Sequence, residues 1–279
     1  MYNILVTGAG GFIGRAVVDR LVSLGVTVIG YDRTVREVPG IARWYHASVC
    51  DSATVAEAVE GSDGVIHLAG VLGTAELLDH IGTAVTVNIL GTLEVAEACL
   101  RYGKPLVHIS PGNIAWPSIY PATRRCADTI VEALACDRGL RAAIVRAYNA
   151  YGPWQKHAPV RKLIPNLIRS ALLDEPAAIY GNGEQLIDPI WVNDVAWVLW
   201  RALQYLQHGD VPPRTCPLFE AGMGIGITVN EVADRVWWSV RRVSRAPKRY
   251  LAMRPGEPLG SCVVANPASL AALNLCPST

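Results

Sequence analysis

Neither sign of charge dominates this chain, no apolar run reaches the ~20 residues that cross a bilayer, and no two cysteines have C-x-x-C spacing. The 25 basic and 24 acidic residues leave a net charge of +1. That balance excludes a nucleic-acid footprint and a polybasic membrane patch, so any phosphate recognition is local. The seven cysteines (Cys50, Cys99, Cys126, Cys136, Cys216, Cys262 and Cys276) are odd in number and scattered. They suit reduced thiols in a cytoplasm, not a disulfide frame or a metal centre. The first residues enter a strand directly, without a basic leader or cleavage site, which predicts a soluble cytoplasmic protein. Repeats and low-complexity tracts are absent. The eight tryptophans lack interleaved basic clusters, so they are expected to pack core and interfaces instead of stacking bases.

At 279 residues and 51% hydrophobic, the chain can bury a large core. It fits one large α/β domain with a smaller appended lobe. The informative stretch is Thr7-Gly8-Ala9-Gly10-Gly11-Phe12-Ile13-Gly14, after the apolar run Ile4-Leu5-Val6. Ile13, Val17, Val18, Leu21 and Leu24 then recur at helical spacing, which reads as strand, tight turn, helix. A dinucleotide pyrophosphate fits such a turn. Gly8 allows the turn, Gly11 lets the backbone approach the phosphates, and Gly14 lets the helix pack on the strand. A second apolar strand, 26–31, ends at Asp32, placed to accept hydrogen bonds from the adenosine ribose. A carboxylate there repels a 2′-phosphate, so NAD is favoured over NADP; Arg33 is read as lying near the adenine or facing solvent.

Strands are expected near 42–49, 64–70, 105–110 and 141–146, separated by helices near 52–60, 83–101 and 120–136. That alternation predicts a doubly wound, mostly parallel Rossmann sheet with ligands at the carboxyl ends of its strands. Asp51 can accept from the adenine amino group or cap the following helix, and the two are compatible. His67, inside an apolar strand, is read as structural, and Asn88 as bonding a neighbouring strand from within its helix. Residues 1–153 form the dinucleotide-binding domain, which also receives part of 187–220; residues 154–279 are mainly the substrate-binding lobe. There a helix is expected near 162–172, a glycine turn at 181–183, a strand at 187–192, and a helix from Asp194, its N-cap, to 206. A helix at 230–243 and a short closing helix within 265–275 complete the chain.

These residues resemble the extended short-chain dehydrogenase/reductases that epimerise, dehydrate or decarboxylate nucleotide sugars. The segment 7–14 matches the family's T-G-x-x-G-x-x-G, His67-Leu68-Ala69-Gly70 its H-L-A-A, and Asn88-Ile89-Leu90-Gly91-Thr92 its N-x-x-G-T. Arg146-Ala147-Tyr148-Asn149-Ala150-Tyr151-Gly152-Pro153 is similar to R-x-x-N-x-Y-G-P, and 180–194 to Y-G-x-G-x-Q-x-x-D-x-x-x-V-x-D. The resemblance implies NAD as cofactor, a nucleotide sugar held between the lobes, and a homodimer through the helices near 83–101 and 120–136. It adds Phe12, Ile13, Leu68, Ala69, Gly70 and Tyr148 to the cofactor contacts, together with Tyr120 and Arg124. Asn149 and Arg254, the latter in an R-P-G-E stretch, are the implied substrate contacts.

Departures from the family pattern fall on the chemistry. The catalytic Tyr-x-x-x-Lys is Tyr120-Pro121-Ala122-Thr123-Arg124, in which arginine keeps the charge but cannot relay a proton. Tyr120 remains a general base if Arg124 depresses its pKa. Pro111 stands where the family has Ser or Thr, leaving Ser110 or a water to contact the reacting hydroxyl. Gly112-Asn113 replaces the Asp-Glu acid/base pair of dehydratases, which disfavours 4,6-dehydration. The connection from Pro111 to Tyr120 is short, and Ile187 replaces an arginine that clamps the pyrophosphate. The favoured reading is an NAD-dependent nucleotide-sugar epimerase-like enzyme. The alternatives are an NAD-binding protein with lost or altered catalysis, and a dehydrogenase or reductase of a smaller, non-nucleotide substrate.

Overall fold

The computed structural model describes residues 2–34, 38–209 and 211–275. Cys276 lies outside them. Seven parallel strands form the central sheet: β1 (Asn3–Thr7), β2 (Thr27–Tyr31), β3 (Ile41–Tyr45), β4 (Gly64–His67), β5 (Leu106–Pro111), β6 (Ala142–Ala147) and β11 (Leu218–Ala221). Their order across the sheet is β11-β6-β5-β4-β1-β2-β3, and every neighbouring pair is parallel. This is the doubly wound Rossmann arrangement.

Alternation along β1 shows how the sheet acquires two cores. Ile4 and Val6 join the cluster under α1 (Phe12–Ser23) and α7 (Val192–His208). Leu5 joins the cluster under α2 (Ser52–Glu60), α4 (Gly91–Tyr102) and α5 (Ile119–Arg138). A strand covered on both faces needs apolar side chains on both, and the middle of β1, Ile4-Leu5-Val6, supplies them.

The helix predicted near 83–101 runs from Ile81 to Tyr102 and is not uniform. A short α3 (Ile81–Ala84) leads into a π-helical stretch, Val85–Leu90, before α4. Fully buried Asn88 sits in that stretch. Its Oδ1 accepts from Val71 N at 2.9 Å, and its Nδ2 donates to Val71 O and Thr123 Oγ1, each at 3.0 Å. Asn88 thus ties the segment after β4 to α5. At Gly91 a Cβ would meet Val49 at 2.7 Å, and Thr92 Oγ1 donates to Asn88 O at 2.7 Å. By length and a mean hydropathy of 1.3, this 22-residue helix could cross a membrane. The expectation that no stretch reaches that limit is corrected here; in the fold one side of the helix is buried, with Val95, Ala96, Ala98 and Cys99 in the core.

Beyond β7 (Asn149–Tyr151), α6 (Leu163–Leu173) and α8 (Val229–Arg241) pack on a parallel pair, β8 (Ala177–Tyr180) with β13 (Lys248–Leu251), around fully buried Ile179 and Trp237. The strand predicted at 187–192 is two, β9 (Leu186–Ile187) and β10 (Pro189–Trp191). They part at buried Asp188, whose carboxylate accepts from Met223, Gly224 and Ala265 N at 2.8–3.1 Å. β9 lies between β12 (Ile227–Thr228) and β14 (Cys262–Val263), and β10 pairs with β7. The helix start predicted at Asp194 is corrected: Trp191 is the N-cap, and Asp194 lies in the first turn, where its charge suits the helix dipole. The chain returns to the first lobe through α7, β11 and a 3₁₀ helix, Pro267–Leu273. Tryptophan packing holds for Trp200 and Trp237, whereas Trp154, Trp191 and Trp238 are exposed.

Candidate active site

A cleft of about 1300 Å³ runs along the carboxyl ends of β1, β2, β4, β5 and β6 and continues between the lobes. One end is made by the glycine turn. Gly8 adopts φ +70°, and a Cβ there would meet Ala69 N at 2.9 Å. A Cβ at Gly14 would run into the Gly8 carbonyl and lie 2.8 Å from Ala9 Cα. Only hydrogen fits at these positions, so the first turn of α1 sits directly on the end of β1. Asp32 follows β2; its Oδ2 accepts from Gly10 N at 3.1 Å and its Oδ1 from Thr34 N at 2.9 Å. The carboxylate is thereby fixed beside the glycines, and Arg33 stays exposed on the same wall.

Of the residues predicted to contact cofactor or substrate, Asp51 alone does not line this cleft. It caps α2 instead, accepting from Thr54 N at 3.3 Å and Thr54 Oγ1 at 2.7 Å, and these bonds hold its carboxyl below the usual range. Phe12, Ile13, Leu68, Ala69, Gly70 and Tyr148 all face the cleft. Tyr148 packs against Gly112, where a Cβ would meet its ring at 2.7 Å, and burial followed by the charge of Glu220 pushes its phenol upward.

Farther along the cleft lie Tyr120 and Arg124, one turn apart on α5. Tyr120 is partly exposed, whereas Arg124 is 3% exposed. The guanidinium Nη2 donates to the Ile109 carbonyl at the end of β5, and a Cβ on Gly70 would lie 2.9 Å from Nη1. Burial pushes the Tyr120 phenol above its ordinary range, Arg124 pulls it down, and Asp128 adds to the rise. The expected depression of this pKa is therefore present as a contribution but does not prevail over burial.

Ser110 lines the cleft as well. Its hydroxyl, assigned to the reacting sugar hydroxyl, is donated to Asp128 Oδ2 at 2.6 Å. His108, which shares that strand face with Ser110, brings Nε2 within 3.3 Å of Asp128 Oδ1. His67 stacks on His108 at 5.5 Å and is held between Thr7 Oγ1 at 2.7 Å and Thr92 Oγ1 at 3.1 Å. Burial lowers the pKa of both histidines, so both rings are neutral at pH 7. His67 thus links the end of β1 to α4, as a structural residue would.

On the second lobe, Asn149 Oδ1 accepts from Asp188 N at 3.3 Å and Arg254 is gripped by Glu257, its Nε donating to Oε1 at 3.0 Å. Ile187 lines the cleft with them. The sequence reading missed Arg161, Lys162 and Tyr180, which also face it. Arg161 Nη1 donates to Tyr180 Oη at 2.8 Å, and burial lowers the Lys162 pKa against the pull of Glu76. The adjacent Arg161-Lys162 pair ahead of an apolar helix was the available signal. Among the described residues no group of three or more His, Cys, Asp or Glu side chains is arranged to hold a metal ion.

Sequence and structure comparisons agree with this geometry. The profile of the NAD dependent epimerase/dehydratase family matches residues 4–214. A probable dTDP-glucose 4,6-dehydratase of Sinorhizobium fredii is 30% identical over 246 residues, covering 75% of this chain and 69% of the relative. A UDP-N-acetyl-alpha-D-glucosaminuronate decarboxylase of Bacillus cytotoxicus is 28% identical over 233 residues, 74% of this chain and 73% of that protein. MoeE5, solved in complex with UDP-glucuronic acid and NAD, superposes with a TM-score of 0.85 at 26% identity, covering 99% of this chain and 94% of that one. The chain belongs to the NAD-dependent epimerase/dehydratase family.

Proposed function

We propose that this chain is an NAD-dependent nucleotide-sugar enzyme that epimerises a ring carbon by transient hydride removal. The observation that carries the reading is convergence: one cleft joins the glycine cradle and Asp32 to Tyr120 and Arg124, and then to Arg161, Lys162 and Arg254 on the second lobe. NAD fits the cradle because Gly8 and Gly14 leave no room for a Cβ and the N-terminus of α1 faces the cleft. Gly8, Gly11 and Gly14 would receive its pyrophosphate and Asp32 its adenosine ribose. When bound, NAD supplies the acceptor and donor for the hydride.

Tyr120 Oη takes the proton of the reacting hydroxyl and later returns it. Arg124 holds a fixed positive charge one turn away, favouring the phenolate without itself exchanging a proton. Burial of Tyr120 works against that ionisation and outweighs the Arg124 charge, which offsets part of the cost. Gly112-Asn113 offers no carboxylic acid to protonate a leaving hydroxyl, which favours epimerisation over the dehydration named for several relatives. The second-lobe cations match a diphosphate. The same reading includes a cytoplasmic homodimer. It is supported by free thiols at all six described cysteines and by exposed Ile81, Val85 and Leu90 along α3 and the π-helical stretch.

The test is to add a panel of nucleotide sugars, and separately simple alcohols, to the NAD-saturated protein, following reduced-nicotinamide absorbance and product identity. Epimer formation from one nucleotide sugar without net NADH is the expected result. Lasting NADH with a simple alcohol alone, or no product from a broad panel, contradicts the reading.

A further inference from the structure

Ile187 stands where the family carries its phosphate-clamping arginine, which puts weight on Arg254. Arg254 is held from two lobes. Within its own loop, Nε and Nη2 donate to Glu257 Oε1; from the first lobe, Glu76 Oε1 lies 3.6 Å from Nη1. That same Glu76 oxygen accepts from the Arg161 backbone N at 3.1 Å. The Arg161 guanidinium donates to Tyr180 Oη, and the Arg254 guanidinium lies over the Tyr180 ring at 5.6 Å. Two cations therefore meet one tyrosine, and one carboxylate oxygen of the other lobe both lies beside the Arg254 guanidinium and accepts from the Arg161 backbone N.

Backbone geometry shows that this contact is built in. Gly73 takes φ +127°, and a Cβ there would meet Glu76 Oε2 at 2.8 Å, so glycine makes room for the folded-back side chain. Gly256, at φ +79°, seats the 254–257 loop on Thr74 and Ser118, where a Cβ would come within 3.1 Å and 2.9 Å. Glu76 itself does not line the cleft; it stands behind the cations that do.

We propose that Glu76 is a positioning residue for diphosphate recognition: it spans the lobes and holds Arg254 and Arg161 in place before substrate arrives. This rests on the nucleotide-sugar reading. Ordering a guanidinium in advance removes a cost that binding would otherwise carry, and an ordered fork suits two phosphate oxygens.

The sign of the effect separates positioning from bare electrostatics. A carboxylate close to an anion site repels the anion, so by charge alone its removal tightens binding. Positioning predicts the reverse. The experiment titrates UDP and dTDP into the NAD-loaded protein by calorimetry, comparing wild type with Glu76→Ala, Glu76→Gln and Arg254→Met, and measures NAD affinity in parallel. Losing hydrogen bonds to a charged group corresponds to roughly 100-fold weaker binding for Arg254→Met and about tenfold for Glu76→Ala. Glu76→Gln should fall between wild type and Glu76→Ala, because its amide oxygen still accepts from Arg161 N. NAD affinity should stay within about twofold throughout. Unchanged or tighter diphosphate binding by Glu76→Ala overturns the proposal, as does a parallel loss of NAD affinity, which marks a general structural role. If the wild-type protein binds neither UDP nor dTDP, the nucleotide-sugar reading itself fails and the proposal falls with it.

Discussion

Gly8 and Gly14 line one part of the cleft and Tyr120 and Arg124 the next, and the two are made of different material. The cofactor end is backbone: glycines without a Cβ, a helix N-terminus, and one carboxylate pinned by Gly10 N and Thr34 N. The reaction end is a set of buried side chains from distant segments, with Arg124 against the Ile109 carbonyl and Ser110 and His108 converging on Asp128. Steric requirements at the first end tolerate almost no substitution. At the second end, charge and hydrogen bonding are distributed over several side chains.

Gly14→Val would break the first end most severely. A side chain against the Gly8 carbonyl forces α1 off β1, at a cost of about 2–3 kcal/mol by analogy with overpacked cores. A loss of NAD affinity of ~100-fold or more should accompany it. Equilibrium NAD titration with a thermal melt checks both, and wild-type affinity would mean that the cradle is not where NAD binds.

Acid tests the second end. His67 and His108 are kept neutral by burial, with folded pKa values below the ordinary 6.5. Their stabilisation is complete above about pH 6.5 and is lost as pH falls towards the folded values, because the unfolded chain binds protons that the folded chain refuses. Each contributes up to ~1.4 kcal/mol per pH unit of slope in that window. Urea melts between pH 5 and 8 should show the decline, and His67→Asn should flatten it by one proton's worth.

The smallest effect is expected at Asp51→Ala. Loss of the cap on α2 should lower the melting temperature slightly and leave NAD affinity unchanged, since the carboxylate faces Thr54 and not the cleft. A large loss of NAD affinity would instead assign Asp51 to the adenine.

The asymmetry between the ends also governs what the sequence reveals. Turn, strand and acid around 8–32 are neighbours in the chain, so steric rules acting over a few residues suffice to read them. Asn88 was read as bonding a neighbouring strand from its helix; its backbone partner, Val71, lies beyond the end of β4, and the π-helical stretch that presents it was not legible. The bond from Ser110 to Asp128 was not legible because the partner lies 18 residues away on α5, and only packing brings the two together. β11 and β13 were missed for a related reason: each is four residues long, and each exists because β6 or β8 offers a parallel edge. Glu76 is the extreme case. Nothing in its local sequence marks it, and its meaning comes from Arg161 and Arg254, which are 85 and 178 positions further along the chain.

The central claim is that Tyr120 moves the proton with Arg124, one helical turn away, as its neighbouring positive charge. Turnover of the nucleotide sugar identified by the panel, measured for wild type and Tyr120→Phe alongside NAD affinity, tests it most directly. The account predicts a fall in kcat of roughly 10²–10⁴-fold, the usual range for loss of a general base, with NAD binding unchanged. A Tyr120→Phe protein that turns over at the wild-type rate would contradict it.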